Sequence, residues 1–242
     1  MEFELTGRAV HVWPVSIQGP VAVVDQFRSL LSADETARAA RFRFEHLQHS
    51  FILARGALRI LLSRYLDTPP RDLEFRYGAK GKPALAEPAR LQFNASHSAD
   101  LALFAFTMGC EVGVDIEAVR SMSDMEDVAR RFFCAEETTE LMALSTRQRD
   151  QGFFLCWTRK EAYIKATGEG LSAPLDAFRV TLRPGEPARM IHLEHDLIAA
   201  QAWSLHDLTP DPRYAGALAY RDTPRPLETC KVVNPKQLLE IA

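Results

Sequence analysis

Apolar and polar positions alternate with two periods along the chain, and the changes of period mark its elements. Residues 9–17 are rich in β-formers and contain one proline, which predicts a short strand interrupted at Pro14. Ser32-Ala33-Asp34-Glu35 has capping-box spacing: Ser32 accepts from the third helical N–H while Glu35 reaches back, opening a helix that carries Arg38, Arg41 and Arg43. Phe51, Leu58, Leu61, Leu62 and Tyr65 form a stripe at 3- and 4-residue spacing, a second helix that stops before Pro69-Pro70. A turn-rich stretch follows at 77–83, then strands at 91–93 and 101–106 around Asn94-Ala95-Ser96-His97-Ser98, and a further strand at 111–117. Helical patterns return at 124–133, 135–144 and 151–167. Beyond Phe178, strand-like runs at 179–182, 202–205 and 214–220 alternate with proline-containing turns. Strands and helices mix along the whole length, which predicts an α/β or α+β class.

Composition narrows the picture. The 242 residues amount to about 1.6 typical domains, one large domain or two compact halves. A turn near Gly109 suggests a division into 1–109 and 110–242. Apolar residues make up 47% and charged residues 25%, the range of soluble globular proteins. The net charge of -3 disfavours a sequence-independent nucleic-acid binder. Cys110, Cys134, Cys156 and Cys230 form no C-x-x-C pair, so buried thiols in a reducing compartment are expected rather than disulfides or zinc. The N-terminal residues show no signal-peptide pattern and no apolar run is long enough to span a membrane, so the expected location is the cytoplasm.

Four constellations could carry chemistry. In Gly113-Val114-Asp115-Ile116-Glu117, strand alternation puts Val112, Val114 and Ile116 on one face and Asp115 and Glu117 on the other, with the two acidic Cβ atoms ~7 Å apart. Two such carboxylates suit a hard cation; a half-buried strand with an acidic solvent face is the plainer alternative. In the helix through Trp157-Thr158-Arg159-Lys160-Glu161, the residues Phe154, Trp157, Glu161, Ile164 and Lys165 share one side, so Glu161 is a carboxylate among apolar neighbours. It needs a cation, a metal or a proton, and an i,i+4 ion pair with Lys165 is the alternative to a site. Arg159 and Lys160 fall on other faces and are expected in solvent. Lys80-Gly81-Lys82-Pro83 offers two ammonium groups to a phosphate, or is a surface turn. Ser96 and His97 could bind phosphate oxygens, with a structural His97 as the alternative; a catalytic Ser–His pair is disfavoured because neighbours on a strand face opposite ways.

Taken in order, Gly81-Lys82-Pro83, Phe93-Asn94-Ala95-Ser96-His97-Ser98, Gly113 through Glu117, Arg131-Phe132-Phe133 with Glu136-Glu137, Trp157 through Lys165, and Gly168-Glu169-Gly170-Leu171-Ser172 resemble the Sfp-type 4′-phosphopantetheinyl transferases. The resemblance runs from about Ser32 to about Pro174. It implies two similar α/β halves in one chain, related by a pseudo-twofold axis, with the active site in the cleft between them. It implies Mg2+ as cofactor, held by Asp115, Glu117 and Glu161, and coenzyme A as co-substrate. Coenzyme A contacts carry over to Lys80, Lys82, Pro83, Asn94, Ser96, His97, Asp115 and Lys165, with Arg38 and Arg41 as candidates for the 3′-phosphate. The family lysine near position 35 is here Glu35, so Arg38 or Arg41 would have to compensate at the 3′-phosphate.

The implied reaction is attack of a carrier-protein serine on the β-phosphorus of coenzyme A, releasing 3′,5′-ADP. Glu161 is the first candidate base and Glu137 the second, with Lys165 on the diphosphate. The implied partner is an apo acyl or peptidyl carrier protein of acidic character, met by a monomer, with no nucleic acid or membrane involved. Met122, Met125, Val128 and Phe132 either contact the carrier or pack under the second half. A coenzyme A- or carrier-binding protein without catalysis, and a Mg2+-dependent nuclease or phosphohydrolase, are the rival classes.

Overall fold

Strand β1 (Val10–Ser16) leads to helices α1 (Val21–Arg28), α2 (Ala33–Ala39) and α3 (Glu45–Leu66), a short hairpin of β2 (Phe75–Tyr77) and β3 (Pro83–Leu85), and strands β4 (Leu91–Ser98) and β5 (Leu101–Met108). Then come β6 (Val112–Ala118), helices α4 (Met125–Phe132), α5 (Ala135–Ala143) and α6 (Thr146–Thr167), and strands β7 (Phe178–Val180) and β8 (Met190–Leu193). The chain closes with α7 (Leu197–Gln201), β9 (Ser204–Leu208), β10 (Tyr214–Tyr220), β11 (Leu227–Thr229) and α8 (Pro235–Glu240). These coordinates are a computed structural model that describes Phe3, Leu5, 9–87, 89–194 and 196–241, with the backbone alone at Leu171. Of the N-terminal stretch read for a signal peptide, Met1, Glu2 and Glu4 lie outside the described residues. Among the described residues, no helix is long and apolar enough to cross a membrane.

The class is mixed α/β, and one unit occurs twice. β1 leads through α3 to β4 and β5, whose sheet order is β1-β5-β4; β6 leads through α6 to β9 and β10, ordered β6-β10-β9. Both long helices have 22 residues. Gly109, at φ 65°, makes the turn between β5 and β6. The tail then crosses back. β11 lies parallel to β1, and Leu238 of α8 is buried in the core under α3, so 227–241 joins the first sheet although it follows the second unit in sequence.

The two sheets pack inner face to inner face, with Val10, Val12, Leu103 and Ala105 against Val112, Val114, Ile116 and Leu218. Helices cover the outer faces. α3 buries Leu58, Leu61 and Leu62 of the expected stripe together with Ile52, Leu53 and Ile60, against Trp13, Phe104 and Phe106. It stops at Asp67, which takes the left-handed conformation (φ 49°) ahead of Pro69-Pro70. α6 lies over Ala215, Ala217 and Ala219 of β10, small residues that allow a close approach. Cys110, Cys134 and Cys156 are buried, as expected of small apolar side chains, and Cys230 is half-buried.

Several local expectations are corrected by tertiary structure. Pro14 does not interrupt β1: it pairs with Leu103, its missing N–H faces the side where β11 has ended, and its carbonyl accepts from Val233 at 2.9 Å. Residues 94–98 do not separate two strands but complete β4, in register with β5. α6 starts at Thr146 rather than at 151. Arg159 and Lys160 are not solvated; both are 0% exposed. Arg159 donates to Asp207 at 2.8 Å and to the Thr181 carbonyl at 2.5 Å, while Lys160 pairs with Glu137 at 2.8 Å and donates to the carbonyls of Leu175 and Phe178. The segment around β7 closes over this side of α6, and the charges are tolerated because each is paired.

β6 and α6 come into close backbone contact at Gly113. A Cβ on Gly113 would overlap Ala162 O and Ala166 N, which are helix backbone and cannot swing aside. Gly113→Ala is therefore expected to cost about 3 kcal/mol or more, toward the upper end of overpacking effects, as a lower urea midpoint. A variant as stable as the parent would mean that α6 does not lie against this glycine.

Candidate active site

The bare backbone at Gly113 brings one face of β6 against one side of α6. Asp115 and Glu117 continue that face of β6 at two-residue spacing, and Glu161 and Lys165, one turn apart, look back from α6. β4 supplies the third wall. Its inward row of Asn94, Ser96 and Ser98 meets β6, with Asn94 Oδ1 accepting from Val114 N at 2.9 Å. Ser96 Oγ donates to Asp115 Oδ1 at 2.7 Å, and Ser98 Oγ donates to Glu117 Oε2 at 2.8 Å. Lys165 Nζ bonds Asp115 Oδ1 at 2.6 Å and Ser96 Oγ at 2.9 Å. The i,i+4 pairing with Glu161 is thus not its main bond, and Asp115, at 3% exposed, is not part of a solvent face.

Three carboxylates share this floor with one ammonium group. Burial, then the charges of Asp115 and Glu117, raise the Glu161 carboxyl to about 7, against the opposing pull of Lys165. Glu117 is also raised, by burial first and by Asp115, while Ser98 and Lys165 pull it down. Asp115 Oδ2 and Glu161 Oε1 are buried without a hydrogen-bond partner. Such orphaned anionic oxygens are costly unless a cation meets them. The donor set, all carboxylate oxygen, fits a hard divalent cation such as Mg2+. Among the described residues no three acidic, histidine or cysteine side chains are already closed into a metal cluster, and Lys165 takes one Asp115 oxygen.

Other expected site residues fall around this floor. Lys82 Nζ pairs with Glu111 at 2.9 Å and reaches the carbonyls of Val112 and Ala166, so it clamps the β2–β3 hairpin to β6 and to the last turn of α6. A cavity of about 590 Å³ opens beside it, lined by Tyr77, Lys80, Lys82, Pro83, Gln92 and Gly168 among others. His97 stands on the opposite face of β4 from Ser96; desolvation and then the Lys165 charge lower its pKa. Asn94 is 4% exposed, with its carbonyl oxygen spent on β6 backbone. Arg38 and Arg41 stay exposed at the end of α2, Arg38 lying over the Phe51 ring.

Glu137 is not brought to the site. It is fully buried, with one oxygen on Val180 N at 2.7 Å and the other on Cys134 N and Lys160, so it serves α5 as a cap and α6 as a counter-ion. Met125 packs in the core of the second half, and Met122, Val128 and Phe132 pack half-buried against it; Met122 and Val128 also line a slot of about 140 Å³ with Phe153, Phe154 and Trp157 that opens beside Glu117.

Three features were not anticipated. Glu35 is buried at 2% exposed and holds Arg55 at 2.5 Å and Arg59 at 2.6 Å. Burial alone would raise its pKa, but the Arg59 hydrogen bond and the Arg55 charge outweigh it and lower the pKa. Arg55 also donates to Tyr77, which lines the hairpin cavity, so the Glu35 carboxylate is neutralised by two arginines of α3 and not by Arg38 or Arg41. Glu111, the partner of Lys82, carries no motif of its own. Ser98 on Glu117 was visible only as a two-residue spacing, 96 and 98, that matches 115 and 117.

The comparisons agree along most of the chain. Residues 111–219 match the 4'-phosphopantetheinyl transferase superfamily, and 21–108 match the 4'-phosphopantetheinyl transferase N-terminal family. The 4'-phosphopantetheinyl transferase HetI of Nostoc sp. is 40% identical over 213 residues, 87% of this chain and 86% of that protein. The 4'-phosphopantetheinyl transferase psf-1 of Bacillus pumilus is 28% identical over 96% of both chains. The 4'-phosphopantetheinyl transferase Sfp of Bacillus subtilis is 32% identical over 65% of this chain and 69% of that one. With matches that span both halves and nearly the whole of one relative, the chain belongs to the 4'-phosphopantetheinyl transferase superfamily.

Proposed function

We propose that the protein transfers the 4′-phosphopantetheine group of coenzyme A to a serine of an apo acyl or peptidyl carrier protein, with Mg2+, and releases 3′,5′-ADP. Family membership supports the reaction, and one observation carries the site: two buried, unpartnered carboxylate oxygens, Asp115 Oδ2 and Glu161 Oε1, beside Lys165. The first half supplies the nucleotide end, through Lys80, Lys82 and Pro83 at the hairpin cavity. The second half supplies the acids. One chain carries both, and it works as a monomer in the cytoplasm.

Asp115, Glu117 and Glu161 would hold the cation, which, when bound, neutralises charge on the diphosphate. Lys165 and Ser96, already hydrogen-bonded to each other, offer donors to the diphosphate oxygens. The carrier serine Oγ forms a bond to the β-phosphorus, the bond from that phosphorus to the 3′,5′-ADP oxygen breaks, and the hydroxyl proton passes to a base. Glu161, the acid that α6 contributes to this floor, is assigned that role. Glu137 is not, since it is 0% exposed and both its oxygens are engaged. Met122 and Val128, at the slot beside Glu117, are placed to receive an apolar side chain of the carrier.

The direct test incubates the protein with Mg2+, coenzyme A and an apo carrier domain and weighs the carrier. A gain of one phosphopantetheine is expected. Bound coenzyme A with no gain would indicate a binding protein, and coenzyme A hydrolysis without carrier modification a phosphohydrolase. Asp115→Ala and Glu161→Ala are each expected to lower kcat/KM about 1,000-fold or more, the several kcal/mol that a ligand set supplies, with unchanged circular dichroism. Near-normal activity in Asp115→Ala would remove this residue from the site. Met122→Ser is expected to raise the KM for carrier and spare that for coenzyme A; equal shifts in both would contradict a carrier contact.

A further inference from the structure

β4 and β6 are edge strands of different sheets, and no backbone ladder joins them. Side chains bridge the gap instead. Asn94, Ser96 and Ser98, two residues apart, meet Val114 N, Asp115 and Glu117 in turn. The Asp115 carboxylate is held twice, by Ser96 and by Lys165. For Glu117 the hydrogen bond from Ser98, at 2.8 Å, is the one shown among the described residues.

Ser98 is fixed as a donor by its own surroundings. Its oxygen accepts from Ala118 N at 3.1 Å. A hydroxyl has one proton to give, so with its oxygen engaged by that N–H the proton points to Glu117 Oε2. The Ala118 N–H is part of the chain that carries Glu117, so hydroxyl and carboxylate are held to the same stretch of β6. Oε2 is thereby spent on β4, and Oε1 is the oxygen without that bond.

We propose that Ser98 is a positioning residue that orients the Glu117 carboxylate toward the divalent cation shared with Asp115 and Glu161. This rests on the metal reading given above. Partners of this kind typically change metal affinity 10–100-fold when removed.

The test counts bound Mn2+ by electron paramagnetic resonance, with the metal added alone to the full chain and no substrate present. Ser98→Ala is expected to weaken Mn2+ binding about 10-fold or more, and Ser98→Thr, which keeps the hydroxyl, to restore it. In a Glu117→Gln background, adding Ser98→Ala is expected to bring no further loss, because the serine acts through that carboxylate. If Ser98→Ala does not fold, Ser98→Cys takes its place with the same expectation, a thiol being a weak donor of similar size. Parent-like Mn2+ binding in Ser98→Ala, or losses that add in the double variant, would overturn the proposal alone. A parent chain that binds no Mn2+ would overturn the metal reading and this inference together.

Discussion

The site depends on how closely α6 can lie on β6. Gly113 is the point of contact, and with no side chain there the helix backbone rests almost on the strand. The same face of β6 then offers Asp115 and Glu117, and the same side of α6 offers Glu161 and Lys165. Close packing turns two unremarkable local patterns into three carboxylates on one half-buried floor. Such a floor is electrostatically unfavourable by itself, which shows in the raised Glu161 and Glu117 carboxyls and in two acid oxygens without partners. Lys165 relieves it only in part.

The candidate site also lies where β4 and β6, edge strands of two different sheets, meet. That seam is closed by the polar row of β4 and, further along, by Lys82, which ties the hairpin to β6 and to the end of α6. The returning tail adds β11 to the first sheet, so both sequence ends of the fold are bound into one half. A cavity lined by Lys80 and Lys82 of the hairpin and by Gly168 lies at the end of α6, the helix that carries Glu161 and Lys165.

Much of this was legible in the sequence, and the gaps have physical reasons. Strand alternation separated Asp115 and Glu117 from Val114 and Ile116, and helical periodicity put Glu161 with Lys165, because both rules depend only on local geometry. Polar character misled at Arg159 and Lys160: α6 is enclosed on more than one side, and Asp207 and Glu137, distant in sequence, make burial tolerable. Glu137 looked like a base for the same reason, since a carboxylate in a matching motif does not announce a buried lysine as its partner. Pro14 followed a sound local rule, but the partner strand ends before it needs the missing N–H. Short elements such as β8, β11 and α7 hold too few residues to show a period. The bond from Ser98 to Glu117 requires knowing that β4 and β6 lie side by side.

In the proposed reaction Asp115, Glu117 and Glu161 meet around one divalent ion where coenzyme A docks. The most direct measurement is a crystal structure grown with Mn2+ and coenzyme A, with the metal located by its anomalous scattering. One peak is predicted within about 2.1 Å of an oxygen from each of the three carboxylates and from the diphosphate. A peak elsewhere, or coenzyme A bound with its diphosphate away from Lys165 and no metal among the acids, would contradict it.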